Sequence, residues 1–427
     1  MKWKSSILGL WAGALFMVPV ASLAASGSYA AGFYTRGVEA AYAMDQGGAV
    51  LEPFYVSLPG VALLPRVTLA VSHEDNIFLD PDEPTAGTTL ALVPGMLALW
   101  GRPSGNHAYA DYGLVLPLYE SEPELEEKPS HLLRLGAVYR TGKSQVDGQV
   151  GFRRMEDVDA AVGARVAKQD FFGDVNVEHR ISGKTSLGAL GRAEMHEFDE
   201  EAYADYDRFY AAGRIYRRAT AKSQTFFQAG VGRDDPRDAA HSEMAADFYD
   251  LSLGVRGKQS PKFSMAGRIG YMWRNYDDEE RADYDNWIAS LRAESTPFGL
   301  ATFSGELVSD IRPAIDATGL DLVDQSVVGS VSRRLFVERV RGNASVTVGR
   351  IEYSGRSASA EALAQDGRID DYWGFALGVD WWTRQNFSLG LRYSYTQRNG
   401  DPDANPAVRD EASYEYGNWT VRASWNY

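Results

Sequence analysis

The chain has 427 residues, 44% of them apolar and 12% aromatic, with 42 glycines, no cysteine and a formal charge of −15. Without cysteine there are no disulfides and no thiolate metal sites, and a net acidic chain lacking basic clusters argues against nucleic-acid partners. A helical membrane protein needs several apolar runs of about 20 residues; only one is present, Ile7 to Ala25.

That run stands behind Lys2 and Lys4 and closes with Ala21-Ser-Leu-Ala24. A basic start, an apolar core and a small-residue end read as a secretory signal peptide over residues 1–24. Cleavage after Ala25 or Ala30 is an alternative, as is a retained N-terminal anchor. Residues 25–61 are small, polar and glycine-containing, with one apolar patch from Val50 to Val56. They read as a periplasmic lead-in segment that can fold back into a lumen.

From about Ala62 the chain becomes a series of segments roughly ten residues long, alternating in polarity and separated by turn residues. The expected strands are 62–72, 88–100, 107–118, 131–140, 145–153, 173–181, 186–196, 204–217, 223–232, 248–257, 263–274, 284–294, 300–309, 326–335, 343–352, 371–382, 387–397 and 413–427. The reading is all-β: a transmembrane antiparallel up-and-down β-barrel over 62–427, with about eighteen strands (16–18). Connections alternate in length. The short set includes Thr141-Gly-Lys-Ser144, Ser182-Gly-Lys-Thr185, Thr220-Ala-Lys-Ser223, Gly257 to Pro261, Ser295-Thr-Pro297 and Thr383 to Asn386. The long, mostly acidic set includes Glu74 to Thr85, Glu120 to Lys128, Glu197 to Glu201, Asp234 to Asp247, Asp277 to Asp285 and Asn399 to Glu411. Tight basic turns on one side and acidic loops on the other suit periplasmic and extracellular ends.

The last strand shows the two faces most plainly. Trp419, Val421, Ala423, Trp425 and Tyr427 alternate with Asn418, Thr420, Arg422, Ser424 and Asn426. An aromatic face on an unprotected terminal strand is an aggregation hazard in water, but it is expected where lipid covers it. A chain ending this way also resembles outer-membrane barrels whose assembly machinery reads the terminus.

At the first strand the resemblance becomes specific. Leu58-Pro-Gly-Val-Ala-Leu-Leu-Pro-Arg-Val-Thr-Leu-Ala-Val-Ser-His-Glu-Asp-Asn-Ile-Phe78 is followed by Thr89-Leu-Ala-Leu-Val-Pro-Gly-Met96. Through Glu74, Asp75, Asn76, Ile77, Phe78, Pro94 and Gly95 it resembles the opening of the beta-barrel porin 2 family. The motif covers about forty residues, and barrel periodicity covers the rest. The resemblance implies export of an exopolysaccharide, with a periplasmic polysaccharide-export partner and no chemistry of the barrel's own.

Taking the apolar partner of each alternation as lipid-facing, the lumen-lining candidates are Arg134, Arg140, Arg153, Arg180, Arg192, Arg208, Arg214, Arg268, Arg274, Arg292, Arg392 and Arg422. An Arg or Lys on the lipid face at the midplane costs about 2–4 kcal/mol, so inward is the cheaper side. Such a ladder conducts anions, because the guanidinium fork suits carboxylate and phosphate. The competing reading pairs these arginines with inward acids: Asp147, Asp174, Glu178, Glu194, Asp250, Glu294 and Asp380.

Other features read as structural. Asp277-Asp-Glu-Glu280 lacks the alternating spacing of a calcium loop, and no phosphate loop or helical metal motif appears, so no metal or cofactor is expected. His131, His179 and His196 have no evident nucleophile beside them in sequence, and no catalytic residue is assigned. Asn343, Asn386 and Asn418 match the glycosylation acceptor pattern by chance. Trp273, Tyr271, Trp381, Trp382, Tyr393, Tyr395, Trp419 and Trp425 read as interface anchors; at the lumen mouth they would instead stack on sugar rings.

The expectation is a Gram-negative outer-membrane channel embedded in lipid, carrying a polysaccharide that is anionic if the arginine ladder is functional. A general or anion-selective diffusion porin for small solutes is the first alternative, and a structural or adhesive barrel the second. An open bore favours the polymer; a long loop folded into the lumen favours small solutes.

Overall fold

The computed structural model describes residues 56–426 apart from 59, 81–82, 102–104, 120–127, 160–163, 201–202, 280, 298–300, 314–319, 336–338, 355–366, 385 and 401–412. The expected signal peptide and nearly all of the lead-in segment lie outside the described residues, as does Tyr427.

A short strand β1 (Val56–Leu58) precedes β2 (Val61–Glu74), β3 (Gly87–Gly101), β4 (His107–Tyr119), β5 (Ser130–Arg140), β6 (Ser144–Asp159), β7 (Ala164–Arg180), β8 (Thr185–Phe198) and β9 (Tyr206–Arg218). Then follow β10 (Ser223–Pro236), β11 (Ala246–Ser260), β12 (Phe263–Tyr276), β13 (Tyr284–Ser295) and β14 (Ala301–Pro313). The chain finishes with β15 (Asp321–Arg334), β16 (Val340–Ser354), β17 (Ile369–Arg384), β18 (Phe387–Asn399) and β19 (Tyr414–Asn426). Each strand from β2 to β19 pairs antiparallel with its sequence neighbours, and β19 closes on β2 from Asn418↔Glu74 to Asn426↔Arg66. The result is a closed ring of eighteen strands, which leaves no free edge to aggregate. Strand β1 sits outside the ring count, pairing with β2 at Val61 to Leu63 beyond the reach of β19.

All eighteen expected strands form, and most of those bounds shift by only one or two residues. The larger differences cluster at the long-connection end. Strand β6 runs to Asp159 rather than 153, and β7 starts at Ala164 rather than 173. There apolar residues also take the inner face, as Met155 and Val166 do at 6 and 0% exposure, and the polarity alternation that marks a membrane strand is lost. A short 3-10 turn (Ala239–Met244) is the single helical element among the described residues, capped by Asp238, whose carboxylate accepts the His241 backbone N–H at 2.9 Å.

The outer face is apolar from strand to strand. Leu253 is 63% exposed, Ile181 59% and Val348 57%. Apolar surface in water costs about 25 cal/mol per Å², and a continuous belt of this kind requires a hydrocarbon environment. Tyr271 lies 5.1 Å from Trp273 and 5.2 Å from Trp287 on that face, and Tyr393 lies 4.4 Å from Trp419. These are the aromatic girdles. The inner face is polar, and aromatic rings lie flat along it where the neighbouring strand offers glycine. A Cβ on Gly254 would meet the Phe226 ring at 2.1 Å, and one on Gly349 the Tyr372 ring at 2.1 Å.

Candidate functional site: the lumen and its inward hairpin

Charged side chains inside a barrel must find partners or water, and here many find partners. Asp111 receives Arg66 at 2.8 Å and Arg134 at 3.1 Å. Asp170 holds Arg153 and takes His196 Nδ1 at 2.8 Å. Arg422 meets Asp380 at 2.6 Å, Arg256 meets Glu178 at 2.5 Å, and Asp370 holds both Arg368 and Arg398 at 2.5 Å.

The twelve candidate arginines all occupy positions with inward parity, opposite the exposed apolar set. Arg134, Arg153, Arg208, Arg274 and Arg422 are committed to carboxylates. Arg192 stands 3.6 Å from Glu194 and Arg268 3.8 Å from Asp250, looser contacts that leave both partly open to the bore. Arg214 donates to Gln228 Oε1 at 2.7 Å and lies 5.7 Å from the Phe226 ring. Arg292 stands in register with Glu306, and Arg392 faces inward on β18. Arg140 and Arg180 belong to the short-turn rim, where Arg180 is exposed. Of the acids proposed as partners, Glu194, Asp250 and Asp380 meet candidate arginines, whereas Glu178 pairs with Arg256, outside the twelve. Asp174 instead accepts from Gln149 at 2.8 Å, and Asp147 accepts from Gln145 at 3.0 Å. Five of the twelve are thus held by carboxylates, and two more stand near one.

One part of the wall leaves the cylinder. The β13–β14 ladder stops at Ala289↔Ser309, although β13 begins at Tyr284 and β14 continues to Pro313. Beyond Ser309 the β14–β15 hairpin turns inward. Its face that would point to lipid carries Ile311 and Val323, and these are buried to 1% and 0% against Phe248, Met272 and Ile288, inward residues of β11 to β13. Asp321 on the same face is fully buried, meeting Arg274 Nε at 3.1 Å, the Tyr276 hydroxyl, and Arg281 at 3.7 Å. Arg274 in turn holds Asp234, which accepts Arg208 Nε at 2.6 Å. A charge chain thus runs from the hairpin through β12 and β10 to β9. Tyr284 of β13, an inward position, lies beside Ser354, whose β16 position has outward parity, so the two sections of wall overlap there. On the hairpin's other face the Arg312 charge reaches Tyr206 of β9. The described part of the hairpin therefore lies on the inner side of β11 to β13.

The sequence pattern ends one strand at 309 and begins the next at 326, which puts this hairpin inside a connection, whereas β14 runs to Pro313 and β15 starts at Asp321. Its signal was present in Leu320-Asp-Leu-Val-Asp324. Apolar residues on both parities mark a strand covered on both faces, and Asp321, Leu322, Val323 and Asp324 are indeed 0, 0, 0 and 2% exposed. Arg66, Arg256, Arg312, Arg368 and Arg398 were also missed, each near a strand end or beside a proline, where alternation is hard to phase.

The motif at the first loop proves to be a clasp over the closing seam. The Asp75 carboxylate accepts the Gly417 backbone N–H at 2.6 Å, and the Asp75 N–H returns to Gly417 O at 3.1 Å. Asn76 Nδ2 donates to Asp80 O at 2.8 Å and Glu415 O at 3.2 Å. Ile77 and Glu74 are fully buried, Phe78 is half-buried, and Leu79, at φ 61°, packs with Tyr414 and Tyr416. Pro94 has outward parity. Gly95 makes room for Arg66, since a Cβ there would meet Arg66 Nε at 2.8 Å.

The histidines differ in part from expectation. His131 Nδ1 lies 3.0 Å from the Tyr112 hydroxyl, and His196 stacks on Tyr206 at 4.5 Å. His179 does have a hydroxyl beside it, Ser144 Oγ at 2.9 Å, contrary to the sequence reading. The two are cross-strand partners on the outer rim, and among the described residues no carboxylate orients the ring, as a nucleophile–base pair requires. In the acidic loop, Asp277 is tied to Arg233 at 2.6 Å rather than grouped for a cation, and Glu280 lies outside the described residues. No group of three or more His, Cys, Asp or Glu suited to a metal ion occurs among the described residues.

No family model and no curated protein matches the chain, so the resemblance drawn from Glu74 to Phe78 and Pro94-Gly95 rests on those residues alone. Among solved structures, the chain is similar to Acinetobacter baumannii OccAB4 (11% identity, 89% of this chain and 100% of that chain, TM-score 0.45). It is similar to Pseudomonas aeruginosa OccK2 (OpdF) in complex with glucuronate (11%, 85% and 98%, TM-score 0.45) and to the outer membrane protein OprD of Pseudomonas aeruginosa (12%, 88% and 96%, TM-score 0.45). All three scores lie below 0.5, and the barrel stands on the closed hydrogen-bond ladder of the chain itself.

Proposed function

We propose that the chain is a channel of the bacterial outer membrane that admits small solutes, with the β14–β15 hairpin as its constriction. The observation that carries this reading is the burial of Ile311, Val323 and Asp321 against the inner wall of β11 to β13. A conduit for exopolysaccharide requires an open bore along its length, and a hairpin packed into the lumen weighs against it. A purely structural or adhesive barrel has no need of a polar interior lined by paired charges. Because many inward arginines already hold carboxylates, the channel is a general small-solute pore with modest preference for anions. That preference comes from Arg192, Arg214 and Arg268, which stay partly open to the bore.

The test is liposome swelling with purified protein. Monosaccharides and amino acids should enter at rates that fall steeply with solute size, and oligosaccharides should be excluded. Entry of long polysaccharide chains through the wild-type protein, or no entry of any solute, would overturn the proposal.

A further inference from the structure

The two ends of the barrel carry opposite charge. The turns 141–143, 181–184, 219–222 and 261–262 hold Lys143, Lys184, Lys222 and Lys262 and no Asp or Glu. At the same end Arg217 and Arg333 lie on the outer face, in line with the exposed apolar residues Ile215 on β9 and Val327 on β15, and both are exposed. Lys143, Lys184, Lys222, Arg217 and Arg333 have no carboxylate within ion-pair distance among the described residues. At the opposite end, by contrast, the exposed arginines are tied to acids: Arg233 to Asp277 at 2.6 Å and Arg350 to Asp371 at 2.8 Å. Unpaired exposed cations gathered at one height, on strands from β5 to β15, are more than random surface charge.

We propose that this rim docks anionic phospholipid headgroups of the leaflet that surrounds the short turns. Three features favour a lipid surface over a protein. The cations spread over the ends of strands from β5 to β15, a broad arc of the ring, which fits a planar bed of headgroups better than the footprint of a compact protein. Arg217 and Arg333 extend from the lipid-facing side itself, so that their stems cover apolar surface and their guanidinium groups reach the headgroup layer. Exposed aromatics mark the same level: Tyr139 next to the Lys143 turn, and Trp381, paired in register with Val340. Aromatics and long basic side chains together define a membrane–water interface. The proposal requires that the barrel cross a membrane, and it is independent of what the lumen conducts.

Each Lys or Arg held near an anionic surface favours association by roughly fivefold at moderate salt, and the effect fades within a Debye length. The experiment compares refolded protein in phosphatidylcholine vesicles with and without phosphatidylglycerol, and reads lipid retained by the barrel by native mass spectrometry. Wild type should retain phosphatidylglycerol at several times its bulk fraction, and about 1 M salt should abolish the enrichment. The variant Lys143→Gln/Lys184→Gln/Lys222→Gln/Arg217→Gln/Arg333→Gln should fold in phosphatidylcholine, as judged by its heat-modifiable band, and show no enrichment. Should it fail to fold, Arg217→Gln/Arg333→Gln alone should halve the enrichment or more. Equal retention of phosphatidylglycerol by wild type and a folded variant would overturn the proposal. So would co-sedimentation with peptidoglycan sacculi that the variant loses while lipid retention is unchanged, which would assign the rim to the cell wall.

Discussion

Replacing Asp321 by alanine tests whether the hairpin is held in the bore. Asp321 is fully buried and joins the hairpin to Arg274 and Tyr276 of β12 and to Arg281 just beyond it. Removing one partner of a buried ion pair destabilises it by about 3–5 kcal/mol, because the other charge stays in a poor environment. Arg274 keeps Asp234, so the lower figure applies here, about 3 kcal/mol. At 1.4 kcal/mol per power of ten, that is roughly a hundredfold in the docking equilibrium. The apolar anchors Ile311 and Val323 remain, and truncating a buried Ile to Ala costs about 2–5 kcal/mol. Asp321→Ala should therefore add brief wide openings to single-channel records in planar bilayers. Adding Ile311→Ala should make the wide openings longer and more frequent, since a further loss of about 2–5 kcal/mol weakens the docking. The barrel should stay folded, because the wall ladders below Ser309 are untouched. Unchanged conductance in the folded double variant would show that the hairpin does not narrow the bore.

Further outcomes follow from other parts of the molecule. Tags inserted at Asp235 or Asp278 should be accessible on intact cells and tags at Lys184 or Lys222 should not; the opposite labelling would invert the topology. Asp75→Ala leaves the Gly417 N–H without its side-chain acceptor, a loss of about 1–3 kcal/mol, and should lower the unfolding temperature of the heat-modifiable band without altering conductance. Deleting Trp425 to Tyr427 removes the aromatic contact of Trp425 with Phe387 at 4.6 Å and the last rungs of the closing seam; assembled barrel should fall sharply, as measured by outer-membrane fractionation. Arg214→Glu/Arg268→Glu/Arg292→Glu should shift the reversal potential under a salt gradient toward cations. Each charge acts at about 1 kcal/mol at 4 Å in water, so single changes should give graded shifts that shrink at high salt.

The strand pattern was legible because lipid imposes it. Wherever one face meets hydrocarbon, as at Trp419, Val421 and Ala423, a polar residue cannot take that face cheaply, and alternation is strict. Where apolar residues also take the inner face, as at Met155 and Val166, or the wall folds inward, as at Asp321 to Asp324, that alternation lapses and the strand ends blurred. The inward side of each candidate arginine was legible for the same reason. Its partner was not, because pairing depends on cross-strand register: Arg422 meets Asp380 from β17, two strands away through Gly390, and nothing local in sequence announces it. The hairpin was hidden because its decisive contacts, to Met272 and Arg274, are tertiary. The Glu74 to Phe78 motif was visible as a pattern, yet its work as a clasp on Gly417 appears only once the ring is closed.

The position of the hairpin can be measured directly, because the chain has no native cysteine. Val323→Cys combined with Met272→Cys places one thiol on the hairpin and one on the inner face of β12, within one apolar cluster. Ile311→Cys combined with Trp287→Cys is the control, since these positions would stand opposite each other if the β13–β14 ladder simply continued past Ala289↔Ser309. A disulfide is expected in the Val323/Met272 pair on oxidation of intact cells, and none in the control pair. A disulfide at Ile311/Trp287 with free thiols at Val323/Met272 would put the hairpin back in the wall and contradict its inward placement.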